Sequence, residues 1–295
     1  DYWHFVRVYS TIIIHAMLLG SALCLSKRLD LGWRKAVLGM AVLTPVSMVY
    51  GEYVLVCPYY VPCIAISFFA MAMVLHLTAE PGNHVRAILT AASAALAFAS
   101  SLIGPRQIVM FYFPAMMAAG LIALSDLIKK KKTLKKAFFD PVFSICLTNM
   151  FSAGIAYLIN LFVLPDMYYF VHWTQIRLTG FNVRRFLNAL AGLVNMLGFR
   201  RESGIAGIIT DACVLAVTAG YLYFLIRALT GRRRVSAGYY FVSLYSLCAI
   251  MVFALLYGLT DMVYYDLYGV PVAIFAFPVV LAGIRECFDD SGLGQ

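Results

Sequence analysis

Charge is what this sequence has least of. Only 13% of its 295 residues are Asp, Glu, Lys or Arg, where a soluble domain carries about 25%. The deficit excludes a water-soluble fold, because the remaining residues, 63% of them hydrophobic, outnumber what one core can bury. Metal and cofactor signatures are lacking too. The seven cysteines make no CxxC or zinc spacing, and there is no HExxH, P-loop, GxSxG or GxGxxG. Most cysteines fall inside apolar runs, where cysteine behaves as a small hydrophobe. No cofactor is expected, and nothing in the spacing supports a divalent metal. Internal repeats, low-complexity tracts and polar stretches of domain size are likewise missing.

What is present is a series of apolar blocks, with a mean hydropathy of +0.85 over the chain. Each approaches the length that crosses about 30 Å of hydrocarbon. The pattern predicts an all-α polytopic membrane bundle, one domain over residues 1–295. It has nine spans, at 8–25, 36–50, 54–77, 87–103, 107–127, 142–164, 204–226, 239–258 and 267–285. The net charge of +9 does not point to nucleic acid, because the basic residues sit in short loops between these blocks.

If spans alternate, the loops 26–35, 78–86, 129–136 and 227–234 share one side with the C-terminal tail. That side holds all eight lysines and most of the arginines. The positive-inside rule places it in the cytoplasm of a plasma-membrane protein. The N-terminus is then outside and the C-terminus inside. An odd span count with that orientation carries the expectation of a further segment upstream of Asp1.

The opposite side carries arginine but no lysine. Its longest segment, 165–203, contains Phe186, Leu187, Leu190, Leu193, Val194 and Leu197 at three- and four-residue spacing, an amphipathic helix pattern. Flanked by Arg184, Arg185, Arg200 and Arg201, such a helix suits the membrane interface or a protein-packed loop.

Polar groups at these outer span ends are the chemical candidates, since charge near membrane depth is costly and is retained for function. Asp1, His4 and Arg7 form one group, residues 4 and 7 sharing a helix face. Gly104-Pro105-Arg106-Gln107 is a second. Pro105 can open a helix, whose N-terminal dipole end joins Arg106 in an anion site. Asp261, Tyr264, Tyr265, Asp266 and Tyr268 form a third, two carboxylates and three phenols in eight residues, suited to sugar binding or to polarising a hydroxyl.

The stretch Ser101-Leu102-Ile103-Gly104-Pro105-Arg106-Gln107, followed by Phe111-Tyr112-Phe113-Pro114, resembles a turn of bacterial multi-pass glycosyltransferases of the GT-C type. Ala156–Asn160, the loop and helix from Tyr265 to Pro278, and the opening Asp1–Arg7 are similar to further parts of that family. The resemblance implies a mannosyltransferase-like enzyme. Such an enzyme takes a sugar from a polyprenyl-phosphate carrier on the outer leaflet and passes it to a cell-envelope glycan or lipid. It also implies a catalytic acid in the first outer loop, at whose end Asp1 would stand. On this reading Asp1, Asp261 and Asp266 are the candidate catalytic acids. His4, Arg7, Arg106, Gln107, Tyr112, Tyr265 and Tyr268 are the candidate substrate-binding residues. A transporter or flippase of lipid-linked sugars and a non-catalytic membrane protein are the alternatives.

Overall fold

A computed structural model describes residues 2–43, 60–77, 82–131, 133–167, 177–199, 204–231, 235–262 and 268–290, with the side chains of 2–7, 206, 289 and 290 excepted. These residues form helices and no strand, the only β-type pairing among them being an isolated bridge between Leu178 and Thr260. The helices are α1 (Tyr2–Arg28), α2 (Arg34–Leu43), α3 (Val61–Leu77), α4 (Asn83–Ser101), α5 (Phe113–Ile128), α6 (Leu134–Phe138), α7 (Pro141–Phe162), α8 (Leu164–Met167), α9 (Val183–Met196), α10 (Ile205–Thr230), α11 (Ala237–Leu259), α12 (Val270–Ala273) and α13 (Ala276–Asp290). A π-helical turn, Ile108–Tyr112, leads into α5.

Among the described residues, six apolar stretches are long enough to cross a membrane: Val8–Arg28, Ile108–Ile128, Pro141–Phe162, Gly207–Thr230, Ala237–Leu259 and Val270–Phe288. The chain is therefore a multi-pass helical membrane protein. Of the other expected spans, 54–77 contains the shorter apolar helix Val61–Leu77, and 87–103 falls on the 19-residue α4. The span 36–50 begins in the 10-residue α2, and its remainder lies outside the described residues.

Local chemistry sets the helix starts. Asn182, Ser236 and Thr133 accept hydrogen bonds from the N–H groups of Arg185, Tyr239 and Lys136 and so cap α9, α11 and α6. Asp140 accepts from Val142 N–H at 3.0 Å, with Pro141 in the first turn of α7.

Hydrogen bonds tie helix to helix where the sequence is rich in small residues. Asn149 donates to Ser93 Oγ (2.7 Å), Ser152 to the Ala94 carbonyl (2.7 Å) and Asn160 to the Leu102 carbonyl (2.6 Å). The partners rise together in number, so α4 and α7 run parallel. Alanine and serine on α4 let the backbones approach, as in other bilayer helix pairs.

Helix α11 packs on several others, touching α5, α9, α10, α12 and α13. Its Tyr245 is fully buried among Phe111 (5.3 Å between centroids) and Phe275 (4.6 Å), and Phe68 of α3 completes the cluster against Phe275 at 4.9 Å. Tyr245 donates its hydroxyl to the Met110 carbonyl at 3.0 Å, inside the π-turn. The last expected span, 267–285, is interrupted by a turn at residues 274–275 that separates α12 from α13.

The loops segregate to two ends. At one end Arg285 pairs with Asp30 at 2.8 Å and Glu286 accepts from the Ser236 N–H at 3.2 Å. The exposed lysines 129–131, 135 and 136 stand at this same end, next to Asp126 and Asp140. At the other end lie Tyr60, Arg106, Tyr268 and the segment 177–182. The described parts of loops 26–35 and 129–136, together with residues 235–236, thus gather at one end of the bundle.

Helix α9 packs against α11 and buries Ala189, Gly192, Leu193 and Met196. Its apolar stripe faces protein more than lipid. The fit is close at Gly258, where a Cβ would lie 3.0 Å from the Phe181 ring and 3.2 Å from Phe186. Gly154 has nothing within 4 Å of such a Cβ. Gly258→Ala is therefore expected to lower stability by about 1–3 kcal/mol, and Gly154→Ala to leave it unchanged or raise it by up to ~1 kcal/mol. Thermal unfolding of the two variants in one detergent checks this, and equal stability would contradict the packing of α9 on α11.

Candidate functional site

The site at the lysine-free end starts from a turn. The chain leaves α4 at Leu102, and the Gly104 N–H returns to the Ser101 carbonyl at 3.2 Å. Gly104 holds φ +141°, a conformation that side chains with a Cβ avoid. Pro105 follows with its fixed φ, and its carbonyl accepts from Val109 at 3.1 Å, the first helical bond of the next segment. The helix then widens into the π-turn, closed by Phe113 N–H on the Ile108 carbonyl. Such one-turn bulges concentrate at functional sites.

Arg106 stands at the head of this segment, half-buried. Its guanidinium carbon lies 4.4 Å from the Tyr60 ring centroid and 5.8 Å from that of Tyr268. The two rings meet edge to face at 6.1 Å. Tyr60 directly precedes α3 and Tyr268 lies just before α12, so three distant segments converge on one cation. Each ring contributes about 0.5–2 kcal/mol of cation–π attraction, more where water is excluded. The Cys63 thiol lies close to the same guanidinium. Five N–H donors in one plane let such a group serve these neighbours and a phosphate together.

Gln107 is almost fully buried and turned toward α3. Its amide donates to Ser67 Oγ at 2.8 Å and to the Cys63 carbonyl at 3.3 Å. Ser67 in turn donates to the Cys63 carbonyl at 2.8 Å. The Gln107 Oε1 has no hydrogen-bond partner among the described residues, which costs about 1–3 kcal/mol in a dry setting. Gln107 thus fixes the Arg106 turn to α3 and leaves one buried acceptor beside it.

Tyr112 lies deeper. It is 1% exposed, and its hydroxyl pairs with Ser100 Oγ at 3.1 Å, which joins the π-turn to α4. Asp261 is joined to the segment before α9. Its Oδ1 accepts from Arg177 N–H at 2.8 Å and its own N–H donates to the Arg177 carbonyl at 3.1 Å. Thr179 and Asn182 N–H bond to the Leu259 and Gly258 carbonyls, and Arg185 bonds to the Thr260 carbonyl. One oxygen of Asp261 is therefore engaged in holding 177–185 over the end of α11.

His4 and Arg7 belong to the first two turns of α1, their side chains outside the described ones. Asp1, Tyr265 and Asp266 lie outside the described residues. Among the described residues no group of three or more His, Cys, Asp or Glu is placed to hold a metal. The arrangement brings Arg106, Gln107 and Tyr268 together and adds Tyr60, Cys63 and Ser67, which sequence reasoning missed. The missed signal was Pro62. A proline in the first turn of a helix marks a start, which moves Tyr60 from the interior of a span to its mouth.

No family model, no curated protein and no solved structure matches the chain.

Gln107 ties this turn to the start of α3 at the Cys63 carbonyl and Ser67, which leads to a direct expectation. In a variant that keeps Cys63 as its only cysteine, Gln107→Ala raises the rate of maleimide labelling in detergent several-fold. An unchanged rate would contradict the contact between this turn and the start of α3.

Proposed function

We propose that the chain is a membrane glycosyltransferase of the GT-C type, with nine spans, its N-terminus outside and its C-terminus in the cytoplasm of a cell membrane. In this reading it moves a sugar from a polyprenyl-phosphate carrier to a cell-envelope acceptor on the outer face. The observation that carries the proposal is Arg106, a cation framed by Tyr60 and Tyr268 at the end of the bundle opposite the lysines. A lipid phosphate is the anion that occurs at this depth in a bilayer, and the phenols flank it as a sugar-binding wall would.

The chemistry follows from what transfer requires. A carboxylate takes the proton from the acceptor hydroxyl, and the oxygen attacks the anomeric carbon of the sugar. The bond between that carbon and the phosphate oxygen breaks. Polyprenyl phosphate departs with one more negative charge, which Arg106 meets. One Asp261 oxygen accepts from the Arg177 N–H, and the proton-accepting role is assigned among Asp1, Asp261 and Asp266. His4, Arg7 and Tyr265 complete the proposed substrate contacts.

Radiolabelled polyprenyl-phosphate sugars presented to the reconstituted chain test this. Arg106→Ala lowers kcat/KM by about 100-fold, roughly the loss of one preorganised charge-stabilising group, and Asp266→Asn or Asp1→Asn abolishes transfer. Full turnover in all three variants would sink the assignment.

Orientation has its own test. On a cysteine-free background, Leu178→Cys, at a site 84% exposed, reacts with a membrane-impermeant maleimide in whole cells. Thr133→Cys reacts only after permeabilisation. The reverse pattern would overturn the topology.

A further inference from the structure

Pro114 lies two residues past the π-turn Ile108–Tyr112, in the first turn of α5. A regular α-helix through this stretch would bond the Met110 carbonyl to the N–H of residue 114. Proline has no N–H, and its ring crowds the carbonyl four residues before it. Here the helix widens instead: the Phe113 N–H reaches back to the Ile108 carbonyl, one residue further than in an α-helix. The Met110 carbonyl takes the Tyr245 hydroxyl at 3.0 Å. Tyr245 is fully buried on α11, so this hydroxyl supplies from another helix the donor that Pro114 withholds.

One extra residue in a helix rotates everything upstream of it by about 100° about the axis. Arg106 and Gln107 lie directly upstream. With the π-turn in place, the Arg106 guanidinium stands 4.4 Å from the Tyr60 ring centroid and 5.8 Å from that of Tyr268. The Gln107 amide reaches Ser67 at 2.8 Å. A regular α-helix would swing both side chains away from α3 by more than a quarter-turn. Three neighbours grip the segment. Ser67 of α3 holds the Gln107 side chain and Ser100 of α4 holds that of Tyr112. Tyr245 holds the backbone of the turn itself.

We infer that Pro114 and Tyr245 together aim Arg106. The proline forces the extra residue into the helix, and the tyrosine hydroxyl stabilises the carbonyl this leaves over. Tyr245 is thus a positioning residue, acting through the backbone from inside the aromatic cluster. The aiming stands on geometry; its consequence for sugar transfer rests on the glycosyltransferase reading.

A cysteine-free chain carrying Ser67→Cys and Gln107→Cys, treated in detergent with a short bifunctional methanethiosulfonate, reports which way the turn faces. Tyr245→Phe keeps the ring against Phe111 and Phe275 and removes the hydroxyl. It lowers the unfolding midpoint by several degrees, as an orphaned buried carbonyl does. It also cuts crosslinking about 3-fold or more, because residue 107 turns away from α3. Adding Pro114→Ala returns an N–H to Met110 and lets the stretch close as an α-helix. Stability then recovers and crosslinking does not, so this double variant carries the test even where Tyr245→Phe alone folds poorly. Tyr221→Phe, which removes a buried bond to Ser246 of α11, lowers stability and leaves crosslinking unchanged. In the chain with Ser67 and Gln107 intact, the double variant lowers kcat for transfer from a radiolabelled polyprenyl-phosphate sugar about 10-fold or more, with KM little changed. Undiminished crosslinking in the double variant, crosslinking that tracks stability across all the variants, or an undiminished kcat beside lost crosslinking would overturn the positioning role. Absence of transfer by the unsubstituted chain, with the crosslinking pattern as expected, would overturn the enzymatic reading and leave the aiming of Arg106 in place.

Discussion

Hydrocarbon offers a peptide group no hydrogen bond, and each unsatisfied N–H or C=O left in it costs several kcal/mol. Everything else in this protein follows from that penalty. The long apolar segments are helices because a helix satisfies its backbone internally. Polar side chains within them turn back on their own carbonyls, as Ser21 does on Leu18, Ser26 on Ala22, Thr148 on Ser144 and Thr218 on Val214. Where they do not, they cross to a neighbour, as Tyr221 does to Ser246 and Asn149 to Ser93. Full charges are driven to the two ends, and the ends become chemically different.

Packing then decides where the arginine turn sits. The aromatic cluster of Phe68, Phe111, Tyr245 and Phe275 joins α3, the π-turn, α11 and the break between α12 and α13. The same elements carry the site. Tyr60 begins α3, Arg106 and Gln107 precede the π-turn, and Tyr268 precedes α12. A buried ring cluster about two helical turns from a cation holds its frame without spending polar groups on it. The extra residue of the π-turn is accommodated because Tyr245 reaches the Met110 carbonyl.

Much of this could be read from the sequence. Blocks at 107–127, 142–164, 204–226 and 239–258 match helices to within a few residues, because apolar length and flanking charge govern them directly. Arg106 and Tyr268 were named because their charge and aromaticity interrupt otherwise apolar runs. Four things were not legible. Tyr60 belongs to the site through its place in space, which residue spacing does not encode. The π-turn has no composition of its own. The stripe on α9 is equally good for lipid and for protein, and only Gly258, which admits Phe181 and Phe186 so closely, shows that protein receives much of it. The turn at 274–275 was hidden because the run Val270–Ile284 is apolar throughout.

The account rests on one contrast: a lysine-rich end with acids set inside it, and an arginine end, framed by two tyrosines, proposed to take a lipid phosphate. A photoreactive benzoylphenylalanine in place of Tyr268, compared with one in place of Tyr240 at the lysine end, tests that contrast directly with a radiolabelled polyprenyl phosphate in proteoliposomes. The account predicts strong crosslinking from position 268, lost when Arg106 is also alanine, and background crosslinking from position 240. Equal crosslinking from both positions, or crosslinking at 268 that ignores Arg106, would contradict it.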